Sequence, residues 1–416
     1  MNRFPPIREQ LERIREGALE IIPEDGLVAK LERSARSGTP LRIKQGFDPT
    51  RPDLHIGHAV SIRKLRTFQE LGHEVIFVVG DYTARVGDPS GRSEIRPRLS
   101  PEQIERNART YAEQVGRILD VGRVRIEYNS QWLAPLDLAA LLELTATYTV
   151  ARMLERDDFA RRYAEQRPIS VMEFMYPLMQ AYDSVALRAD VELGGTDQKF
   201  NLLVARTVQE RYAQEPQVCL IMPLLRGTDG TAKMSKSYDN YIGISEPAEE
   251  IYGKTMSIPD GLLEEWYHLA SGLSGDELDT AVQRAGAEPY QAKRTLAALV
   301  TAAYHGDAAA ERAAAHFDRL FREHAAPDDL PETALSVRDA RLRHEPASGV
   351  WVPGLLVAAG LAVSNSEAMR LLEQGAVTID EQRIADRNAR IVVDPARPIT
   401  LRRGKRHYAR VRFSTD

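Results

Sequence analysis

The stretch that indicates the fold class is residues 41–79, which read LRIKQGFDPTRPDLHIGHAVSIRKLRTFQELGHEVIFVV. Its first seven residues are typical of a strand, and residues 75–79 form an unbroken apolar run, as in a buried parallel strand. Between these strands, four apolar side chains spaced three apart predict one face of a helix: Ile62, Leu65, Phe68 and Leu71. A strand, a helix and a second strand within about 40 residues predict a crossover unit. We therefore expect an α/β domain with a doubly wound parallel sheet.

The remaining sequence divides into further predicted parts. Residues 1–225 would form the doubly wound domain, including an N-terminal helix that ends at Pro23. Residues 226–325 become rich in Ala, Leu and Glu and predict an all-helical domain. Residues 326–349 contain three prolines among charged residues and predict a linker. Residues 350–416 predict a small α+β module, in which a helix pair packs against a short sheet.

Charge is distributed unevenly along the chain. The 416 residues include 55 Lys and Arg against 60 Asp and Glu, a formal net charge of −5. Residues 350–416 carry 11 basic and 7 acidic side chains, net +4, whereas residues 1–349 carry 44 and 53, net −9. From Arg397 to Arg412 no acidic residue occurs. This pattern suggests a polyanionic partner for the last module, although the basic stretch taken alone favours a solvated, Arg-rich surface strand.

Composition also bears on the compartment. The single cysteine, Cys219, excludes an intrachain disulfide framework and fits a reducing compartment. The longest apolar run, residues 350–363, is shorter than the roughly 20 residues that span a bilayer. Residues 1–20 contain no apolar segment of the kind found in signal peptides. We expect a soluble, cytoplasmic protein without a membrane partner.

A histidine motif, His55-Ile56-Gly57-His58, lies in the turn between the first predicted strand and its helix. Ligands bind α/β sheets at this position, and a helix N-terminus offers backbone N–H groups and a positive dipole end to phosphate. Gly57 would allow a nucleotide to approach the backbone without a side chain in the way. The motif predicts a nucleotide site. A metal-binding histidine pair is the alternative, but no other ligand residue lies nearby at a suitable spacing.

A lysine motif, Lys233-Met234-Ser235-Lys236-Ser237, follows the predicted strand at residues 219–225 and a flexible Gly227–Gly230 segment. Two lysines three residues apart on such a loop can neutralise charge that develops on the bridging oxygens of a triphosphate. Taken alone, however, the segment favours a plain solvated loop.

Three polar residues share one face of another predicted helix. Tyr176, Gln180 and Asp183 are four and three residues apart, which places their side chains on the same side. A buried carboxylate and amide there would suit a phenol O–H and an ammonium group. An amphipathic helix with a wet face is the alternative.

Together, the histidine and lysine motifs resemble the two signatures of class I aminoacyl-tRNA synthetases. Four further motifs are similar to those of the bacterial tyrosyl-tRNA synthetase family: Gly46–Thr50, Gly87–Gly91, Gln180–Asp183 and Gly194–Gln198. The resemblance covers essentially the whole chain, since residues 350–416 resemble an S-four-type RNA-binding domain. It implies a Rossmann-like catalytic domain and a homodimer with helices from roughly residue 130 to 180 at the interface.

The resemblance implies a site for ATP. Catalytic roles fall to His55, His58, Lys233, Lys236 and Thr50. ATP contacts fall to Gly46, Asp48, Gly57, Gly195, Asp197, Leu225 and Lys236. In this assignment the two lysines hold the leaving pyrophosphate, and Mg²⁺ arrives with ATP. We expect no prosthetic group and no dedicated metal site.

The resemblance likewise implies a tyrosine pocket. Asp183 accepts the phenol hydroxyl, and Gln198 lies near the substrate carboxylate. The amino group is surrounded by Thr83, Asp88, Tyr176 and Gln180. Lys44 stands where the more familiar bacterial form has a tyrosine, a pattern that resembles a second bacterial subtype. We expect Lys44 to line the pocket near Asp183.

The reaction implied is formation of tyrosyl-adenylate, followed by transfer of tyrosine to the 3′-terminal adenosine of tRNA(Tyr), with no role for DNA. Contacts to tRNA are expected from Arg370, Arg402, Arg403, Lys405 and Arg406. Two other hypotheses remain at this point: a different adenylyltransferase with a similar histidine motif, and an RNA-binding paralogue that kept the fold but lost catalysis.

Overall fold

The computed structural model describes residues 4–50, 52–90, 100–321, 332–404 and 407–414. It contains two compact units, Met1–Ala310 and Glu311–Asp416. Among the described helices, none is long and apolar enough to cross a membrane.

The first unit is an α/β unit with a six-stranded sheet. Its strands are β1 (Glu20–Ile22), β2 (Arg42–Phe47), β3 (Glu74–Val79), β4 (Val124–Tyr128), β5 (Val191–Gly195) and β6 (Val218–Met222). Its helices through the sheet region are α1 (Ile7–Arg15), α2 (Glu24–Ser37), α3 (Ile56–Glu70), α4 (Pro101–Val115), α5 (Ser130–Leu133), α6 (Leu138–Ala146), α7 (Val150–Met153), α8 (Asp157–Ala164), α9 (Val171–Leu187) and α10 (Lys199–Arg211). Then follow α11 (Ala248–Met256), α12 (Leu263–Ala270), α13 (Gly275–Ala287), α14 (Pro289–His305) and α15 (Asp307–Phe321), in which the boundary between the units falls.

The sheet has the strand order β1-β6-β5-β2-β3-β4. All neighbouring strands are parallel except β1, which is antiparallel to β6. The predicted crossover unit is confirmed as β2, α3 and β3. From β2 the chain continues outward to β3 and β4, whereas from β5 it continues in the opposite direction to β6. A crevice therefore opens between the carboxyl ends of β2 and β5, the two central strands.

Helix α3 ties the first motif to the core. Its predicted apolar face is confirmed, because Ile62, Leu65 and Phe68 are fully buried. They pack in one large cluster with β2, β3 and the helices of the region after residue 250. The N-terminus of α3 is therefore held at the carboxyl edge of the sheet.

The prediction of an N-terminal helix up to Pro23 is wrong after Arg15. Glu20–Ile22 form β1, in which Ile21 pairs with Leu220 and Ile22 with Cys219 of β6. The apolar spacing that indicates a helix also suits a short edge strand, and only the presence of β6 decides between them.

The second unit is a small α+β module. Its elements are β7 (Glu332–Ser336), β8 (Val350–Trp351), α16 (Val352–Ala358), α17 (Asn365–Glu373), β9 (Val377–Ile379), β10 (Gln382–Ile384), β11 (Arg390–Ile391), β12 (Ile399–Arg403) and β13 (His407–Ser414). Five strands form a sheet in the order β10-β9-β12-β13-β7, and β8 pairs with β11. Residues of both helices share an apolar core with this sheet.

The linker predicted at residues 326–349 is wrong at residues 332–336, and its first six residues lie outside the described residues. Residues 332–336 form β7, which runs parallel to β13, and Leu335 is buried in the core of the module. Glu332 also forms an ion pair with Arg412. Because β7 pairs with a strand about 80 residues later, no local pattern marks it as part of the sheet.

Candidate active site

A cleft of about 1110 Å³ opens at the carboxyl ends of the parallel strands of the first unit. It brings together nearly all of the predicted ATP and tyrosine residues. These are Gly46, Asp48, Thr50, His55, Gly57, His58, Thr83, Asp88, Tyr176, Gln180, Asp183, Gly195, Asp197, Gln198, Leu225, Lys233 and Lys236. Groups separated by up to 190 residues in sequence therefore face one space.

The two histidines of the motif stack on each other at the start of α3. Their ring centroids are 3.6 Å apart with an interplanar angle of 19°. The backbone N–H of His55 donates to Nδ1 of His58 over 3.3 Å. Burial, reinforced by the charges of Lys236 and Lys233, lowers the pKa of His58 to about 3. Burial, His58 and the same lysines also lower the pKa of His55 well below its usual value, so both rings are neutral at pH 7.

The lysine motif is docked on the histidine motif through Met234. This side chain is buried, its backbone N–H donates to the carbonyl of Leu225 over 2.8 Å, and its sulfur accepts from the N–H of Gly57 at 3.3 Å. Lys233 Nζ lies 2.5 Å from a carboxylate oxygen of Asp197. Lys236 Nζ donates to the backbone carbonyl of Asp53 and lies 3.6 Å from its carboxylate. Two cations therefore flank the cleft beside the N-terminus of α3.

Asp48 connects three elements at the floor of the cleft. Its Oδ1 accepts from the hydroxyl of Thr83 at 2.7 Å, and its Oδ2 accepts from the hydroxyl of Tyr176 at 3.0 Å. A Cβ added at Gly80 would lie 2.1 Å from Asp48 Oδ1 and 2.4 Å from Thr83 Oγ1. Gly80 is thus required for this contact, a role that the sequence analysis missed although Gly80 directly follows β3.

Asp183 is a buried carboxylate with two side-chain donors. Trp132 Nε1 donates to Oδ1 at 2.7 Å, and Asn129 Nδ2 donates to Oδ2 at 3.3 Å. Burial raises the pKa of Asp183 from 3.8 to about 6, against the opposing effects of the Lys44 charge and these two bonds. The folded chain therefore holds this proton more tightly than the unfolded chain, and this residue's contribution to stability falls as pH rises between those two values.

Asn129 and Trp132 were not among the predicted site residues. They follow β4, a strand that the sequence analysis did not recognise. The available signal was a polar residue at the carboxyl end of an alternating VRIEY segment, residues 124–128.

Asp88 has the opposite electrostatic environment. Its Oδ2 accepts from Gln198 Nε2 at 2.7 Å, and its Oδ1 accepts from the backbone and hydroxyl of Ser90 at 2.9 and 2.6 Å. The buried guanidinium of Arg156, another residue that the sequence analysis missed, lies 3.5 Å away. Burial alone would raise the pKa of Asp88, but Arg156 and these hydrogen bonds outweigh it and lower the pKa, so Asp88 is ionised at neutral pH.

Lys44 differs from its prediction. It is not among the side chains that line the cleft, and its side chain is only 1% exposed. Its Nζ contacts Glu192 Oε1 at 3.2 Å and the carbonyl oxygen of Gln180 at 3.1 Å. Because side chains alternate along a strand, Lys44 points into the layer between β2, β5 and α9.

The predicted tRNA-binding residues lie in the second unit and do not share one face. Arg402 Nε donates to Thr378 Oγ1 at 3.1 Å, whereas Arg403 pairs at 3.5 Å with Glu367 of α17. Consecutive residues of β12 point to opposite sides of the sheet. Arg370 is exposed on α17, three residues from Glu367 and so on the same side of the helix. Lys405 and Arg406 lie outside the described residues.

The doubly wound fold, with the histidine and lysine motifs at one cleft, defines a class I aminoacyl-tRNA synthetase. A family model for "tRNA synthetases class I (W and Y)" matches residues 36–322. Curated tyrosine--tRNA ligases from Geobacter sulfurreducens and Moorella thermoacetica are each 51% identical, over 98% and 97% of this chain and 100% and 96% of theirs. The chain belongs to the bacterial tyrosyl-tRNA synthetase family of that class.

Two solved structures share the fold. A truncated mitochondrial tyrosyl-tRNA synthetase from Aspergillus nidulans has a TM-score of 0.62 at 23% identity and covers 76% of this chain and 94% of its own. A tyrosyl-tRNA synthetase from Archaeoglobus fulgidus, complexed with L-tyrosine, has a TM-score of 0.60 at 24% identity. The match covers 74% of the present chain and 100% of the Archaeoglobus chain.

The Asp183 environment leads to a first prediction. In a Trp132→Phe variant, Asp183 loses one of the donors that favour its charged form, so its pKa is expected to rise above about 6. A ¹³C carboxyl NMR titration measures this directly. Trp266→Phe is the matched control, because Trp266 is a fully buried tryptophan of the same unit whose Nε1 has no hydrogen-bond partner among the described residues. An unchanged Asp183 titration in Trp132→Phe would contradict the assignment.

Proposed function

We propose that this protein activates L-tyrosine with ATP to tyrosyl-adenylate and pyrophosphate, and then transfers the tyrosyl group to the 3′-terminal adenosine of tRNA(Tyr). The observation that carries the proposal is a single cleft that has two lysines beside a helix N-terminus on one side and two carboxylates in contrasting environments on the other. The proposal is further supported by full-length relatives named as tyrosine--tRNA ligases.

ATP would bind with its phosphates at the N-terminus of α3. The backbone N–H groups and the helix dipole favour negative charge there. His55 and His58 would act as neutral hydrogen-bond donors. Lys233 and Lys236 would exchange their present oxygen partners on Asp197 and Asp53 for phosphate oxygens, a replacement of one charged contact by another.

Tyrosine would bind against α9. Asp183 would accept the phenol O–H, and the ionised carboxylate of Asp88 would face the substrate's ammonium group together with Tyr176, Gln180 and Thr83. Gln198, which now donates to Asp88, would lie nearer the substrate's carboxylate. The phenol O–H and the ammonium group of tyrosine would thus each contact an oxygen acceptor, as buried polar groups require.

The chemical step would be attack of the tyrosine carboxylate on the α-phosphorus of ATP. A carboxylate is already ionised at neutral pH, so no general base is needed. A P–O bond forms to tyrosine as the bond to pyrophosphate breaks, and the two lysines would stabilise the charge that develops on the leaving group. A ribose hydroxyl of tRNA would then attack the carbonyl carbon of the adenylate and release AMP. The cleft would contribute mainly positioning and electrostatic stabilisation.

Mg²⁺ would accompany ATP. Among the described residues, no group of three or more His, Cys, Asp or Glu side chains is arranged to hold a metal ion. Two nearby carboxylates already accept hydrogen bonds from protein side chains. Asp48 accepts from Thr83 and Tyr176, and Asp197 accepts from Lys233. The triphosphate oxygens are then the natural ligands, and Mg²⁺ bound to them would neutralise phosphate charge.

A homodimer is supported by apolar side chains in the region that family resemblance implies at the interface. Five large apolar residues on or beside α6 to α9 are 60–79% exposed: Leu138, Leu142, Val150, Tyr163 and Val171. Such a concentration on the surface favours a protein interface. We place the protein in the cytoplasm, where tRNA and ATP are available for this reaction.

The activity is tested by ATP–pyrophosphate exchange with each of the twenty amino acids. Exchange is expected with tyrosine alone. Lys233→Ala and Lys236→Ala should each reduce its rate about a hundredfold, because each removes a charged donor from the phosphates. Lys254→Ala, which removes a lysine of α11 that is not among the residues lining the cleft, should leave the rate unchanged. Exchange with tryptophan only, or with no amino acid, would overturn the proposal.

The role of the second unit is tested by a truncation after residue 331, since β7 belongs to that unit. Adenylate formation should persist, because the cleft and its core lie in the first unit, and tRNA charging should fall at least about tenfold. In the full chain, Arg370→Ala with Arg403→Ala should weaken tRNA binding and its salt dependence while leaving pyrophosphate exchange intact. Loss of both activities on truncation would show that the two units do not divide the work in this way.

The dimer is tested by sedimentation at micromolar concentration. The unaltered protein should sediment at twice its 46.6 kDa monomer mass. Leu142→Asp should weaken association about tenfold or more, because it places a charge in a desolvated interface. Val121→Asp is the control, since Val121 is also exposed, at 55%, but precedes the helical region. A monomeric unaltered protein would refute the homodimer.

A further inference from the structure

A fully buried carboxylate, Glu192, lies directly beneath the cleft and has no assigned role. Its side chain accepts four hydrogen-bonding contacts. Oε1 lies 3.2 Å from Lys44 Nζ and 3.1 Å from Gln180 Nε2, and Oε2 accepts from Ser184 Oγ at 3.2 Å and from Gln217 Nε2. A buried carboxylate is costly to keep unless every oxygen is satisfied, and here both are.

The charge of Glu192 is balanced by Lys44. The two residues are register partners on the adjacent strands β2 and β5, and both side chains are 1% exposed. Neither residue is among the side chains that line the cleft. Lys44 also donates to the backbone carbonyl of Gln180 at 3.1 Å. Gln180 is therefore held through its main chain by one member of the ion pair and through its side chain by the other.

This arrangement dictates which way the Gln180 amide faces. Carboxylate oxygens only accept hydrogen bonds, so the NH₂ end of the amide must be the end that contacts Glu192. The carbonyl end, Oε1, is then the free end. It is inaccessible to solvent and has no hydrogen-bond partner among the described residues, although Gln180 lines the cleft.

A buried acceptor without a donor points to a group that arrives with a ligand. An ammonium group supplies only donors, so it matches Oε1 and would be repelled by an NH₂ group in the same place. We propose that Glu192, with its charge balanced by Lys44, is a positioning residue that holds the Gln180 amide with Oε1 presented to the substrate's ammonium group. This inference rests on the proposed function, which places an amino acid in the cleft.

The test compares two ligands that differ only at the ammonium group. L-Tyrosine and 3-(4-hydroxyphenyl)propanoate have the same phenol and carboxylate, and the second lacks the amine. In a Lys44→Met, Glu192→Gln double variant, the side chain at 192 is able to offer either a donor or an acceptor, so the Gln180 amide is free to turn. The dissociation constant for tyrosine should rise about tenfold or more, as for loss of a charge-assisted bond, while that for the propanoate should change less than about twofold.

The second ligand separates positioning from general damage. The Lys44 charge lowers the pKa of Asp183 and the Glu192 charge raises it, so removing both charges has opposing effects there. Any remaining change at Asp183 acts on the phenol and alters the binding of both ligands alike. Ser184→Ala is the matched control, because it removes a donor from the other oxygen of Glu192 and leaves the contact with Gln180 in place. It should bind both ligands as the unaltered protein does. If thermal unfolding shows that the double variant does not fold, Glu192→Gln alone serves for the same comparison.

The outcomes are distinguishable. Equal weakening of both ligands, or no weakening of tyrosine, would overturn the positioning role while leaving the proposed function intact. Failure of the unaltered protein to bind tyrosine would instead overturn the proposed function, and this inference with it.

Discussion

The ion pair between Lys44 and Glu192 joins the two central strands of the sheet at the point where the chain order reverses. On one side of this pair, β2 leads to the loop with Asp48 and then to the histidine motif. On the other, β5 leads to Asp197 and Gln198. Helix α9 lies across the pair and presents Gln180 and Asp183 to the cleft. Groups on both sides of the cleft are therefore anchored to an ion pair whose side chains do not line the cleft.

Burial and neighbouring charges give the titratable groups of the cleft different pKa shifts. Burial keeps the rings of His55 and His58 neutral and raises the pKa of Asp183 to about 6. Asp88 is buried as well, but Arg156 and its hydrogen bonds keep its pKa below the usual value. Two carboxylates of the same residue type thus acquire opposite pKa shifts from their surroundings, as the proposed phenol and ammonium contacts would require.

Predictions from the sequence succeeded where the signal is local. The helix face of α3, the crossover unit and the shared face of Tyr176, Gln180 and Asp183 follow from periodicity over fewer than 40 residues. The sequence predictions failed where pairing with a strand distant in the sequence decides the secondary structure. Ile21 and Ile22 form a strand because β6 lies beside them, and residues 332–336 join a sheet because β13 does. Asn129 and Trp132 reach Asp183 from a strand that was not recognised.

The sequence by itself determined the fold class, the histidine and lysine motifs and the family to which the chain belongs, because these are encoded in contiguous residues with characteristic spacing. The tertiary structure alone decided the role of Lys44. A strand position defines two possible faces, and only the packing of α9 and β5 against one of them turns a residue expected to line the pocket into half of a buried ion pair. The same packing selects the orientation of the Gln180 amide. Its two ends have nearly the same shape, and the neighbouring carboxylate accepts a hydrogen bond only from the NH₂ end.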